Sequence, residues 1–128
     1  MRELGSSQPT AVELEILRIL WERGPSPVRK IHARLAEAKG TNYSTTVKML
    51  SVMLVKGLLK RDEDATPHIY RAAITRDRAA KKFLSELIDK VYDGSAMSLV
   101  LQALASGKAS QDEIDEARTL LDEMERKS

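Results

Sequence analysis

The chain has 128 residues, a formal net charge of +2 and no cysteine. That length suits one compact domain, or a small domain with an oligomerisation segment, and the missing cysteine excludes disulfides, thiolate metal sites and thiol redox chemistry. One Phe, one Trp and three Tyr among abundant Leu, Ala, Met and charge favour helices packed on helices over a large sheet, and with no signal-like or membrane-length apolar run the expected location is the cytoplasm, without membrane contact.

Residues 1–9 include Gly5-Ser6-Ser7-Gln8-Pro9 and no periodic pattern, predicting a mobile arm. Thr10 and Glu13 then form a capping box, each side chain satisfying the other's backbone donor. The helix they open runs to about Arg23, with Val12, Leu14, Leu17, Leu20 and Trp21 on its inner stripe and Gly24 as its stop. Pro25-Ser26-Pro27 breaks the chain. Ser26 is the predicted cap of a second helix with Pro27 at its first position, where a missing N–H costs nothing. That helix runs to about Ala38, with Val28, Ile31 and Leu35 inward and Arg29, Lys30 and Arg34 outward.

Gly40-Thr41 makes a short turn into the stretch that organises the chain, a helix from the cap Asn42 to the stop Gly57. Val47, Leu50 and Leu54, with Thr46 and Met53, form its inner stripe; Ser44, Thr45, Lys48, Ser51 and Val52 form the opposite one. A solvated helix usually mixes charge signs, yet Thr41–Arg61 contains Lys48, Lys56, Lys60 and Arg61 and no acid. Small hydroxyls beside a lysine suit a nucleic-acid groove, while the bland reading is a surface helix that happens to lack Glu. Two short helices joined through a Gly-containing turn form the pattern of a helix-turn-helix, which favours nucleic acid.

Leu58–Arg61 and His68–Ala72 read as a two-stranded hairpin around an acidic loop, Asp62 to Pro67. Such a hairpin is marginal alone, so Leu59, Ile69 and Tyr70 are expected to pack on the helices. This wing places Arg61 and Arg71 to touch phosphate. Thr75 caps a fourth helix, Arg76 to about Tyr92, with Ala80, Phe83, Leu87 and Val91 on one stripe and Leu84 and Ile88 beside it. Gly94 ends it. Ser95 to Ala105 forms a fifth helix carrying Met97, Val100, Leu101 and Leu104, closed by Gly107. Ser110 and Glu113 make a second capping box for a sixth, with Ile114, Ala117, Leu121 and Met124 on its stripe.

The fold class expected is therefore mainly α with a small β-hairpin wing. Residues 1–74 form a winged-helix DNA-binding domain and residues 75–128 a helical dimerisation region. Through Arg76 there are 13 Lys and Arg against 8 Asp and Glu, a balance of +5; from Asp77 onward 8 face 11, a balance of −3. A basic front and an acidic rear suggest that the front meets a polyanion. Three amphipathic helices in the rear have more apolar face than they can hide among themselves, which points to a symmetric homodimer, the competing arrangement being a monomer in which they fold back on the front.

Several motifs in order give the chain a resemblance to a known family: Glu13 to Trp21, Tyr43-Ser44-Thr45-Thr46-Val47, Lys56-Gly57-Leu58, Tyr70-Arg71, Val91-Tyr92-Asp93-Gly94-Ser95 with Leu99-Val100, and Ser110-Gln111-Asp112-Glu113-Ile114. Over Pro9 to Glu123 it resembles the penicillinase repressors of the BlaI/MecI type, bacterial winged-helix transcription repressors. The resemblance implies a homodimer on an inverted-repeat, double-stranded operator, commonly of TACA/TGTA type. It implies base reading by Ser44, Thr45 and Lys48, with Ser51 and Val52, and phosphate contacts from Tyr43, Lys60, Arg61 and Arg71. The dimer seam would draw on Phe83, Leu87, Val91, Leu99, Val100, Leu104, Ile114 and Leu121. Repressors of this type are released through a membrane sensor-protease pathway that cuts the fifth helix, in the best-known members at an Asn-Phe bond. The aligned pair here is Gln102-Ala103, after Leu101, so either another bond is cut or induction works differently. A copper-responsive branch carries a C-terminal cysteine cluster, which this chain lacks.

An enzyme is not expected. His32 and His68 are the only histidines, and no nucleophile, base and orienter are placed together. Asp112, Glu113, Asp115 and Glu116 sit in the first turns of the sixth helix, where they suit its dipole better than a metal. No cofactor is expected either. The alternative to operator binding is a winged-helix protein-interaction module without sequence-specific DNA binding.

Overall fold

The computed structural model describes residues 9–128. The arm predicted at residues 1–9 lies outside them except for Pro9, which is buried where the chain runs into the first helix. The described elements are α1 (Ala11–Arg23), β1 (Ser26–Pro27), α2 (Val28–Lys39), α3 (Tyr43–Lys56), β2 (Leu59–Asp62), β3 (Ile69–Ala72), α4 (Arg76–Val91), α5 (Ala96–Ala105) and α6 (Gln111–Lys127). The fold is mainly helical, with one small antiparallel sheet after the helix-turn-helix. Two compact units divide it, one up to Phe83 and one at Leu84–Ser128.

In the first unit, Thr10 and Glu13 close the predicted capping box on α1. The Asn42 side chain caps α3, and Gly57 stops it at φ +81°, a left-handed conformation that a Cβ would strain. Ile16 and Leu17 of α1, Ile31 and Leu35 of α2, and Leu50 and Met53 of α3 form the dry centre, which Leu58, Leu59 and Tyr70 close on the sheet side. Fully burying each such side chain contributes about 1.5–3 kcal/mol.

Local readings change where several elements converge. Ser26 does not cap α2, because its hydroxyl donates to the Gly24 carbonyl at 2.9 Å and the N-cap is Pro27, without a side-chain bond. Each residue before a proline is pushed toward extended backbone, so Pro25-Ser26-Pro27 yields a short strand instead of a helical first turn. β1 pairs antiparallel with β3, Ser26 opposite Tyr70 and Pro27 opposite Ile69. The wing is accordingly a three-stranded sheet in the order β1-β3-β2, in place of the two-stranded hairpin expected. Pro27, which cannot donate to a ladder, sits on an edge strand.

The inner face of α1 is wider than one stripe. α1 packs on both α2 and β3, so Ile16 and Ile19 are buried while Leu14 and Trp21 are only half-buried. Trp21 anchors one edge, donating its indole N–H to the Ile74 carbonyl at 2.9 Å, and the Arg76 guanidinium lies 5.6 Å from its ring centre. Val47, predicted inward on α3, is exposed. On α4 it is Ala79, one residue before the predicted Ala80, that is buried.

The second unit keeps the predicted caps. Ser95 accepts from the Ser98 N–H at the start of α5, and Ser110 and Glu113 form the box on α6. α5 runs to Ala105 as expected, with Ser106 as its C-cap in place of Gly107, which follows at φ +79°. The Tyr92 hydroxyl donates to Gln102 Oε1 at 2.9 Å. None of its described residues is buried. Leu87, Val91, Val100, Leu104, Leu121 and Met124 are all exposed. Among the described residues no helix is long and apolar enough to cross a membrane.

Candidate nucleic-acid interface

α3 turns Thr46, Leu50 and Met53 into the core. Its helical period therefore leaves Ser44, Thr45, Lys48, Ser51 and Val52 together on the exposed side, and all five are exposed. The first turn is held by Asn42, whose Oδ1 accepts the Thr45 N–H at 2.9 Å and the Ser44 hydroxyl at 3.0 Å. Ser44 thus keeps only acceptor capacity free, whereas the exposed Thr45 hydroxyl has both. Lys48 has no acidic partner among the described residues.

The structure sorts the cations around this face. Lys56 leaves the surface set: its Nζ lies 2.8 Å from Glu13 Oε1, and Glu13 is 2% exposed. The same carboxylate accepts the Thr10 N–H at 2.9 Å, so capping box and ion pair clamp the start of α1 to the end of α3. Lys60 and Arg71 stand opposite each other on β2 and β3, are exposed and lack acidic partners among the described residues. Two like charges directly opposite on a sheet repel each other, and an anion between them would relieve that. Arg61, one residue along, is engaged: it pairs with Glu63 at 3.3 Å and lies 6.0 Å from the Tyr70 ring centre. Tyr70, and then Glu63, hold the Arg61 guanidinium above its usual pKa.

Tyr43 is half-exposed at the start of α3. It lines a groove of about 490 Å³ with Val28 and Arg29 from α2 and Pro67, His68 and Tyr70 from the wing. Arg29 and His68 are residues that sequence reasoning did not assign to the interface. Arg29 reads as one of several outward charges on α2, and only the folded chain sets it beside Tyr43. Phe83, Leu99 and Ile114 are half-buried, while Leu87, Val91, Val100, Leu104 and Leu121 are exposed, as are Leu101, Gln102 and Ala103 on α5. The DNA-facing candidates thus gather on α3 and the wing of the first unit. No group of three or more His, Asp or Glu that could hold a metal is found among the described residues.

Comparison with known proteins extends over nearly the whole chain. A family model described as penicillinase repressor matches residues 9–123. The methicillin resistance regulatory protein MecI of Staphylococcus aureus strain N315 is 27% identical over 112 residues, covering 88% of this chain and 91% of that protein. The penicillinase repressor of Bacillus licheniformis is 22% identical over 116 residues, covering 91% of each. A solved structure of a MarR family transcriptional regulator from Silicibacter pomeroyi DSS aligns with a TM-score of 0.46 at 22% identity, over 94% of this chain and 71% of that one. With a family match spanning both units and relatives that align along almost their full length, this chain belongs to the penicillinase-repressor family of transcriptional regulators.

Proposed function

We propose that the protein is a homodimeric, sequence-specific DNA-binding repressor acting on an inverted-repeat operator in the cytoplasm, with no enzymatic activity, cofactor or membrane contact of its own. The observation that carries this reading is the exposed face of α3: Ser44, Thr45, Lys48, Ser51 and Val52 project together from a stretch without a single acid between Thr41 and Arg61. In a major groove these side chains offer hydroxyls and one cation to base edges, and the Thr45 methyl and Val52 to thymine methyl groups. Tyr43, Lys60, Arg61 and Arg71 contact the flanking phosphates and set the register. Arg61 contributes less than Lys60 and Arg71, since Glu63 already neutralises part of its charge.

On this reading residues 1–74 are the DNA-binding domain and residues 75–128 the dimerisation region, its seam drawing on Phe83, Leu87, Val91, Leu99, Val100, Leu104, Ile114 and Leu121. Support comes from the apolar side chains that the second unit leaves exposed. A two-fold dimer presents two α3 helices to two half-sites. Relief of repression follows an upstream signal such as proteolysis in α5 near Leu101-Gln102-Ala103, three exposed residues.

Selecting bound fragments from a random duplex library tests this reading. The expected product is an inverted repeat with half-sites one helical turn, roughly 10 bp, or a multiple of it apart. Its affinity should fall with salt at about −0.9 in log K per phosphate neutralised. Absence of enrichment would move the chain to the protein-interaction reading, for which the acidic wing loop Asp62-Glu63-Asp64 would be the place to look.

A further inference from the structure

Between α2 and α3 the first unit holds a polar contact beside its apolar core. His32 Nδ1 lies 2.9 Å from Thr46 Oγ1, and Thr46 is completely buried. The Thr46 hydroxyl is also 3.3 Å from the Asn42 carbonyl, which accepts the Thr46 N–H at 3.1 Å as well. The His32 ring meets the Tyr43 ring edge to face, with centres 5.2 Å apart and planes at 79°. One imidazole on α2 therefore touches the first turn of α3 at two places, from its inner side through Thr46 and near its outer side through Tyr43.

We infer that His32 is a positioning residue for DNA recognition, fixing the N-terminal turn of α3 and the Tyr43 ring relative to α2. The inference rests on the operator-binding reading. An apolar pair at positions 32 and 46 would bury as well, but it would carry no direction; a hydrogen bond specifies one rotation of α3 against α2. What it sets is the placement of Ser44 and Thr45, which hang from the same Asn42 cap, and of Tyr43 in the groove with Arg29 and His68.

The test compares wild type, His32→Leu and His32→Asn as full chains. Asn places an amide nitrogen close to where Nδ1 sits and has a helix propensity similar to that of His, so it restores the bond without the ring. Amide exchange of Thr45 and Thr46, whose N–H groups bond Asn42, should quicken in His32→Leu and return toward wild type in His32→Asn. With labelled duplexes carrying the inverted repeat recovered by selection or its scrambled sequence, His32→Leu should lose about tenfold in discrimination, the size of one misplaced base contact. His32→Asn should recover most of it, and melting temperatures should stay close throughout. Unchanged exchange in His32→Leu, or wild-type discrimination by that variant, would overturn the inference. If selection recovers no duplex that wild type distinguishes from its scrambled sequence, the operator reading falls, and the exchange data decide the role of His32 in placing α3.

Discussion

The two units treat their apolar side chains in opposite ways. In the first, Ile16, Leu17, Ile31, Leu35, Leu50 and Met53 are each at most 1% exposed, drawn from three helices that close on one another. In the second no described residue is buried, and Val91, Leu101, Leu120 and Met124 each show more than half of their surface. Side-chain caps open helices in both, on α1 and α3 in the first and on α5 and α6 in the second. Caps and amphipathic stripes are thus enough to write helices, but a core needs stripes that converge. The first unit buries its apolar stripes within itself, whereas the second leaves its own exposed, and the proposed dimer would cover them.

Charge in the proposed dimer seam should break that contrast most severely. Leu104→Glu combined with Leu121→Glu would desolvate carboxylates against apolar partners. Dimer dissociation should rise about a thousandfold, roughly 4 kcal/mol, as read by sedimentation, while circular dichroism of the first unit's helices persists. In the first unit, Leu50→Ala should cost about 2–4 kcal/mol in denaturant unfolding, with the loss independent of protein concentration. A concentration-dependent loss there would undo the division of labour. Lys56→Ala strips the partner from the buried Glu13 carboxylate. It should cost about 2 kcal/mol, less than a fully buried pair because the Lys56 side chain is 20% exposed; Lys56→Arg should recover part of it. Lys48→Ala should leave stability within about 0.5 kcal/mol but weaken operator binding by roughly 1–3 kcal/mol if the lysine meets a base. Unchanged affinity by fluorescence anisotropy would remove Lys48 from the interface.

Much of this architecture is legible one helix at a time. Thr10 with Glu13, Asn42, Gly57, and Ser110 with Glu113 announce their caps because the partners lie within three or four residues. The exposed face of α3 is readable for the same reason, since its period depends on α3 alone. What escapes is whatever needs a third element. Ser26 looks like a cap until β3 arrives to pair with it. Ile19 looks peripheral until both α2 and β3 cover α1. Lys56 reads as a surface cation because Glu13, its partner, is 43 residues away, and that distance hides a buried pair as thoroughly as it hides the meeting of Arg29 and His68 beside Tyr43. The contact of His32 with Thr46 spans only 14 residues, yet it depends on the angle between two helices, which periodicity does not give.

The most direct test of the account is the stoichiometry of the complex. Native mass spectrometry or sedimentation of the full chain with a duplex recovered by selection should give two chains on one inverted repeat. The Leu104→Glu and Leu121→Glu pair should give none at the same concentration. A stable complex of one chain with a single half-site, unaffected by those substitutions, would contradict the dimeric operator-binder.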